Sequence, residues 1–331
     1  MARCVALLSG GLDSILAIRV LQEQGVEVEA LNFKTIFTCC QNKSAQAARE
    51  LDVPLTVIGQ EDDYLQLIRR PRFGYGKGAN PCVDCRIYMF ERARRYMDQI
   101  GADFIASGEI LGQRPMSQKR RDLEVISYHS GLEDLLLRPL SAKMMPVTKP
   151  ERLGLVDRSK LYAFWGRSRK GLIELAKSFG LRNIPHPSTG CALTEVRFSK
   201  KVFDLMKTYP KAGRWDFELL KLGRHFRFDD ATKVIVGRSE EENGQLEHMH
   251  SQPDASSTAA LRPLNFRGAF VMILGPVSEE SLYFAGGLQC RYGKLDGVAE
   301  PQVEVLQADR TWSMKIRPSA AAQDVRSLAV V

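Results

Sequence analysis

The sequence predicts an α/β domain built on a doubly wound parallel sheet, followed by a second, smaller α+β domain. Three observations support this prediction. The chain has 331 residues, more than one typical domain. Apolar strands alternate with helices over the first half, and the composition changes near residue 200. We therefore expect domains over residues 1–200 and 201–331.

The first predicted strand, residues 4–8, is continuously apolar, as expected when both faces of a parallel sheet are covered. A helix follows it, and the turn between them is SGGLDS, residues 9–14. Its adjacent glycines can adopt backbone conformations closed to other residues, its serines carry hydroxyls, and the helix N-terminus presents unpaired N–H groups. The turn is predicted to bind an anion of the size of pyrophosphate. The alternative is a serine-capped glycine turn with nothing bound.

Strands and helices continue to alternate after this turn. Ligands of such sheets bind beyond the carboxyl ends of the strands, where Cys39 and Cys40 follow the second strand. A basic, glycine-rich loop at 69–81 leads to CVDC at 82–85, and Cys85 is expected in a first helical turn, where the helix dipole stabilises a thiolate. The predicted strands are 4–8, 26–33, 55–58 and 104–107, and the predicted helices include 44–51 and 170–179.

The second half has a different character. Aromatic and basic segments are followed by a stretch rich in Ser, Ala, Pro and His at 248–263, which we expect to be a loop. Four later segments have the composition of strands: 271–274, 282–285, 303–306 and 312–316.

The net charge of +8, from 47 Lys and Arg against 39 Asp and Glu, favours a polyanionic partner. Basic runs at 69–72, 119–121 and 167–170 could reach a phosphate backbone, although any one alone also fits a solvated face. Seven cysteines, an odd number, favour metal or sulfur chemistry over a disulfide framework. With no secretion signal and no apolar run near the ~18 residues of a membrane span, we expect a cytoplasmic protein without membrane contact.

The SGGLDS turn resembles the signature of the PP-loop ATP pyrophosphatases, which cleave ATP between the α and β phosphates and adenylate a substrate oxygen. Residues 1 to about 200 further resemble the tRNA-thiolating members of that group, the catalytic domains of 4-thiouridine synthetase and the 2-thiouridine synthetases. The matching segments are SGGLDS at 9–14, NPCVDCR at 80–86, ASGEILGQRPMSQ at 106–118, LRPLSA at 137–142 and STGCALT at 188–194. The resemblance implies an adenine nucleotide alpha hydrolase-like fold.

The resemblance also implies an ATP-dependent tRNA sulfurtransferase that forms AMP and pyrophosphate, with ATP and Mg²⁺ at the turn. Asp13, Cys85 and Cys191 are the expected catalytic residues. A 4Fe-4S cluster held by Cys82, Cys85 and Cys191 would leave its fourth iron open for exogenous sulfide. The GEILGQ run favours 4-thiouridine over 2-thiouridine. The expected nucleotide-binding residues are Ser9, Gly10, Gly11, Leu12, Asp13, Ser14, Phe33, Gly108 and Gln113.

Residues 233–245, KVIVGRSEEENGQ, resemble the VGRxxxxN signature of the NFACT RNA-binding domain, which would cover about 205–331. The expected partners are tRNA and a sulfur donor, either sulfide or a persulfide carrier. The oligomeric state stays open, a homodimer included.

Several alternatives remain at this point. Zinc could occupy the cysteines with His186 as a fourth ligand, or a persulfide relay could run between Cys85 and Cys191 without metal. The chain could also be an amide- or amidine-forming enzyme of the same superfamily, or a non-catalytic RNA-binding protein with a vestigial nucleotide pocket.

Overall fold

A computed structural model describes residues 1–38, 42–181, 183–187, 190–308 and 310–328. Cys39 and Cys40, for which we considered a place facing the site, and Ser188 and Thr189 of the STGCALT segment lie outside the described residues. The chain divides into two compact units, Met1–Ala192 and Leu193–Val331.

The first unit is a five-stranded, wholly parallel sheet in the order β3-β2-β1-β4-β5, which confirms the predicted doubly wound fold. The strands are β1 Arg3–Leu7, β2 Glu27–Lys34, β3 Leu55–Gly59, β4 Phe104–Ala106 and β5 Leu136–Leu137. The helices are α1 Leu12–Gln22, α2 Asn42–Leu51, α3 Asp63–Arg69, α4 Cys82–Ile100, α5 Arg120–His129, α6 Lys149–Arg152 and α7 Lys170–Ser178.

Both faces of this sheet are covered, which explains the continuously apolar strands. One apolar cluster packs the sheet against α1, α2 and α7, and another packs it against α4 and α5. The strand order reverses direction between β1 and β4, and ligands of open parallel sheets bind at such a switch point. The turn after β1 therefore lies where a ligand is expected.

The second unit is a six-stranded antiparallel sheet in the order β11-β10-β8-β9-β7-β6, with helices added, so the α+β prediction is confirmed. The strands are β6 Arg224–Arg227, β7 Lys233–Val236, β8 Ser257–Pro263, β9 Val271–Leu274, β10 Gln302–Gln307 and β11 Arg310–Lys315. The helices are α8 Val196–Thr208, α9 Arg214–Leu219, α10 Glu240–His250, α11 Glu279–Tyr292 and α12 Ala320–Asp324.

Two predictions for the second unit are wrong. Part of the expected loop at 248–263 is β8, an interior strand paired with both β9 and β10. The expected strand at 282–285 lies inside α11, whose N-cap Ser278 accepts a hydrogen bond from the amide of Ser281. In both cases pairing and burial against the sheet override local composition. No described helix is both long enough and apolar enough to cross a membrane.

Candidate active site

The turn at 9–14 joins the carboxyl end of β1 to α1. Gly10 has a φ of +75°, and a Cβ there would lie 2.6 Å from the backbone carbon of Lys43, so only glycine fits. Gly11 occupies the N-cap of α1 without a side-chain hydrogen bond to the helix. The first amides of α1 therefore have neither an intrahelical acceptor nor a cap, and they can bind an anion.

The two serines of the turn have different surroundings. The buried Ser14 hydroxyl donates to the Gly11 carbonyl at 2.9 Å, and the amide of Ser9 donates to the Ser14 hydroxyl oxygen at 3.3 Å. Ser14 therefore braces the turn, whereas Ser9 is exposed. The Leu12 side chain packs in the core, so this residue can offer a ligand only its backbone.

Asp13 meets two other residues that were predicted to bind the nucleotide. Its carboxylate accepts a hydrogen bond from the Gln113 amide at 3.1 Å, and a Cβ at Gly108 would lie 2.5 Å from the Asp13 carbonyl carbon. Burial raises the pKa of Asp13, opposed by the Gln113 hydrogen bond and by the positive charges of Arg114 and Arg169. An ionised Asp13 therefore favours a further positive charge beside it.

Phe33, also predicted to bind the nucleotide, lies near the carboxyl end of its strand. It lies in β2 and packs, partly buried, in the apolar cluster between the sheet and α4 and α5.

A network of charged side chains lies beside the turn. The buried carboxylate of Glu109 accepts a hydrogen bond from Arg138 at 3.0 Å and forms an ion pair with Arg86 at 3.4 Å. Desolvation by the surrounding protein and the positive charge of Arg86 lower the pKa of Arg114, although its side chain is exposed. The negative charges of Asp13, Cys82 and Glu109 oppose this shift. Two guanidinium groups that repel each other favour a phosphate between them.

The sequence analysis did not single out Arg86, Glu109, Arg114 or Arg138 as site residues. Their position in the sequence could have identified them, because each lies within or at the end of a segment that carries the family resemblance.

Cys82 and Cys85 lie in the first turn of α4, where Cys85 was predicted. The Asn80 amide donates to the Cys82 sulfur at 3.1 Å, and the hydroxyl of Tyr64 lies 3.2 Å from the Cys85 sulfur. Burial raises the pKa of Cys85 and outweighs the opposing effects of Tyr64 and Arg86. The thiolate expected from the helix dipole is therefore disfavoured, because the sulfur is withdrawn from water.

Cys191 belongs to the same neighbourhood. The amide of Ala192 donates to the Phe37 carbonyl at 3.2 Å, and the Phe37 ring contacts Tyr64 at 6.4 Å between centroids. Burial raises the pKa of Tyr64 well above its ordinary value, and the negative charges of Cys85 and Cys191 add to that effect. The Tyr64 hydroxyl therefore contacts the Cys85 sulfur and lies within electrostatic range of Cys191.

The thiols do not form a ready metal site. Within the described ranges, no group of three His, Cys, Asp or Glu side chains could hold a metal ion. Asp84, next to the thiols in sequence, is already engaged, because its carboxylate accepts hydrogen bonds from the amides of Arg72 and Phe73 at 2.8 and 3.1 Å. Cys4 and Cys290 are buried free cysteines.

Both units match known families. Residues 2–130 match the family described as the tRNA methyl transferase HUP domain, and residues 223–326 match the NFACT protein RNA binding domain. The family resemblances that the sequence motifs predicted for the two units are therefore confirmed.

Curated relatives match the chain over part of its length. It is 30% identical over 201 residues to the tRNA-specific 2-thiouridylase MnmA of Geotalea uraniireducens, covering 54% of this chain and 50% of the relative. Identity to the protein of the same name from Caldicellulosiruptor saccharolyticus is 28% over 160 residues, covering 43% and 41%. The chain thus spans about half or less of the length of these relatives.

Two solved structures show weaker similarity. A 4-thiouridine synthetase in complex with RNA and ATP is 24% identical with a TM-score of 0.37, covering 55% of this chain and 42% of that chain. A predicted tRNA methyltransferase subunit from Methanocaldococcus jannaschii is 14% identical with a TM-score of 0.30, covering 54% and 76%.

Proposed function

We propose that this chain, a HUP domain joined to an NFACT RNA-binding domain, is an ATP-dependent tRNA sulfurtransferase. One observation carries the proposal. Arg86, the residue after Cys85 in α4, lies 3.4 Å from the Glu109 carboxylate, and the neighbouring Gly108 packs against the backbone of Asp13 at the anion-binding turn. A site for ATP phosphates and a site for sulfur therefore adjoin each other, as replacement of an oxygen by sulfur requires.

The first step is adenylation of a uridine carbonyl. The carbonyl oxygen attacks the α-phosphorus of ATP, and pyrophosphate leaves with the electrons of the broken P–O bond. The amides of the turn at 9–14, together with Arg86 and Arg114, stabilise the charge that develops on the phosphates. Mg²⁺, when bound, would be held by Asp13 and would neutralise part of that charge.

The second step replaces the activated oxygen. A sulfur nucleophile attacks the uridine carbon, and AMP leaves with the former carbonyl oxygen. Cys85 and Cys191 are the residues we assign to sulfur delivery, since the Tyr64 hydroxyl contacts the Cys85 sulfur and lies within electrostatic range of Cys191.

Sulfur could reach the uridine in two ways. On the family resemblance, we propose that Cys82, Cys85 and Cys191 hold a 4Fe-4S cluster, although the described residues do not present a ready metal site. In the competing relay, a persulfide carrier transfers its outer sulfur to Cys85 or Cys191, and this terminal sulfur attacks the activated carbon as AMP leaves. The thiolate of the other cysteine then attacks the inner sulfur, which releases the thiouridine and leaves a Cys85–Cys191 disulfide that an external thiol must reduce.

Two features bear on which carbonyl is modified. The GEILGQ run at 108–113 favours 4-thiouridine, whereas the curated relatives are named as 2-thiouridylases. Because of the GEILGQ sequence, we propose that the product is 4-thiouridine. We also propose that the protein acts in the cytoplasm and that its second unit binds the tRNA.

Mass spectrometry of tRNA nucleosides from a deletion strain tests the proposal. We expect one thiouridine to disappear, and its identity separates the 4- from the 2-isomer. With purified protein, ATP, sulfide and tRNA, Asp13→Ala should abolish pyrophosphate release, while the exposed Asp98→Asn serves as the matched control. An unchanged nucleoside profile would reject the function.

The same assays separate the alternatives. Pyrophosphate release stimulated by tRNA would exclude a non-catalytic RNA-binding protein. Full turnover in Cys191→Ala would favour an amide- or amidine-forming enzyme instead. For sulfur delivery, the cluster is supported if anaerobically prepared protein contains iron and sulfide and turns over with sulfide in the absence of a thiol reductant. Activity that depends on the reductant, without iron, supports the relay.

A further inference from the structure

A second pocket lies on the first unit. It is lined by residues of α3, α4, α5 and the loop at 69–81. In α4 it is lined by Asp84, Ile87, Tyr88 and Glu91, which share one broad face of the helix. Cys82 and Arg86, four residues apart, lie on the other side of that helix, because successive residues turn by about 100°. The pocket therefore lies on a different face of α4 from Cys82 and Arg86, and the rings of Tyr88 and Tyr64 stand between it and the Cys85 sulfur.

Aromatic rings form one part of the pocket. Phe73 is 37% exposed although it is a large apolar side chain, and its ring lies 5.3 Å from that of His129. The exposed Tyr128 packs edge-on against His129 at 5.0 Å. Exposed rings held by a rigid framework are surfaces on which a nucleobase can stack.

Arg72 adds a positive charge beside these rings. Its guanidinium lies 5.3 Å from the centre of the Phe73 ring, and it donates a hydrogen bond to Nδ1 of His129 at 3.3 Å. Since an arginine can only donate, His129 accepts through that nitrogen. The loop at 69–81 carries four Lys or Arg residues and no acid, so the rim attracts a phosphate backbone.

The loop is held in place, so the pocket is preformed. The Asp84 carboxylate accepts hydrogen bonds from the amides of Arg72 and Phe73, and the Tyr75 hydroxyl donates to the Ile68 carbonyl at 2.7 Å. The Asp84 charge is thus engaged by the loop. Glu91 can accept from the amino group of a base.

We propose that this pocket binds an unpaired base of the tRNA, stacked against Phe73 and His129, with its phosphate at Arg72. The inference rests on the proposed function, since it identifies where the first unit contacts the same RNA. The thickness of one helix, about 10–12 Å with its side chains, separates the two faces of α4. The pocket therefore suits a nucleotide near the modified one in the folded tRNA.

Equilibrium binding of an unmodified tRNA transcript and of a fluorescein-labelled single-stranded RNA tests the proposal on the full chain. Phe73→Leu keeps an apolar side chain but removes the ring, and it should weaken binding of both RNAs about 5- to 100-fold. Phe73→Trp keeps an aromatic face and should bind within about twofold of the parent. Arg72→Gln should lower the slope of log affinity against log salt by about one. The exposed Lys177→Gln, in the last turn of α7, is the charge control.

Equal affinities of Phe73→Leu and the parent for both RNAs would overturn the proposal. Displacement of tRNA by excess AMP from the parent but not from Phe73→Leu would assign the pocket to a free nucleotide and would overturn it too. The binding data are read independently of thiolation. An unchanged nucleoside profile would therefore reject the proposed function without changing the test of the pocket.

Discussion

At the residue scale, Tyr64 is a buried phenol whose hydroxyl lies beside a reactive sulfur. Its ring is fixed by Phe37 and by an edge contact with Tyr88 at 5.0 Å, so the hydroxyl cannot swing away from Cys85 without repacking both rings. A hydrogen bond to sulfur stabilises the thiolate and opposes the effect of burial on the Cys85 pKa. Under the proposed function, Tyr64 is thus a positioning residue for sulfur delivery.

We expect Tyr64→Phe to keep the packing and to lose only the hydrogen bond. Alkylation of Cys85 by iodoacetamide at pH 8, followed by peptide mass spectrometry, should slow several-fold because less thiolate is present. Pyrophosphate release should stay unchanged. Tyr88→Phe is the matched control, because the Tyr88 hydroxyl donates to Asp63 at 2.9 Å rather than to sulfur. Equal alkylation rates in Tyr64→Phe and the parent would contradict the role.

Lys201 in the second unit gives a prediction about pH. The buried amine donates to the carbonyls of Leu220 and Gly223 at 3.0 and 3.2 Å, and burial lowers its pKa to about 8. The unfolded chain takes up this proton near pH 10.4, whereas the folded chain takes it up only near pH 8. Stability is therefore lost as the pH falls through this window and stays low below it.

Urea unfolding of the parent and of Lys201→Met measures this effect. From pH 7 to pH 9.5 the parent should gain about 1–2 kcal/mol relative to the variant. Methionine leaves the two carbonyls without their donor at every pH. This loss lowers the free energy of unfolding equally over the range and does not change its slope against pH. Parallel curves over this range would show that Lys201 does not titrate as described.

At the element scale, the elements predicted from the sequence agree closely with the structure in the first unit and less well in the second. β1 to β4 begin and end near the predicted positions because strands buried on both faces must be continuously apolar. β8 contains Ser257, Thr258 and two alanines, so its composition gave no strand signal, and pairing on both sides supplies its stability. The turn at 9–14 was predictable from local chemistry. The approach of Gln113 to Asp13 was not, because it joins residues 100 positions apart.

The close packing of Gly108 against the start of α1 gives a prediction at this scale. In Gly108→Ala the new Cβ would overlap the backbone of Asp13 and Ser14, with contacts of 2.5–2.6 Å, so α1 must shift from the sheet edge. We expect ATP binding, followed by calorimetry, to fall at least 10-fold. Gly59→Ala, where a Cβ meets nothing within 4 Å, should bind ATP normally. Normal ATP affinity in Gly108→Ala would show that the turn does not depend on this contact.

At the scale of the whole molecule, the proposed function assigns phosphate chemistry to the first unit and RNA binding to the second. The turn, the charged network and the thiols all lie within Met1–Ala192, while the match to the RNA-binding family covers residues 223–326. Each unit has its own apolar core. The nucleotide site therefore does not need the second unit in order to form.

A chain ending at residue 192 tests this division. We expect ATP affinity within about twofold of the parent, because the residues of the turn and its neighbours are all retained. Affinity for tRNA should fall at least 10-fold at moderate salt, and the salt dependence should weaken, because the cations of the second unit no longer displace counterions from the RNA. Circular dichroism and a cooperative thermal transition are the controls for folding of the shortened chain. Retention of full tRNA affinity would assign RNA binding to the first unit alone, and the Phe73 pocket would then be its main contact.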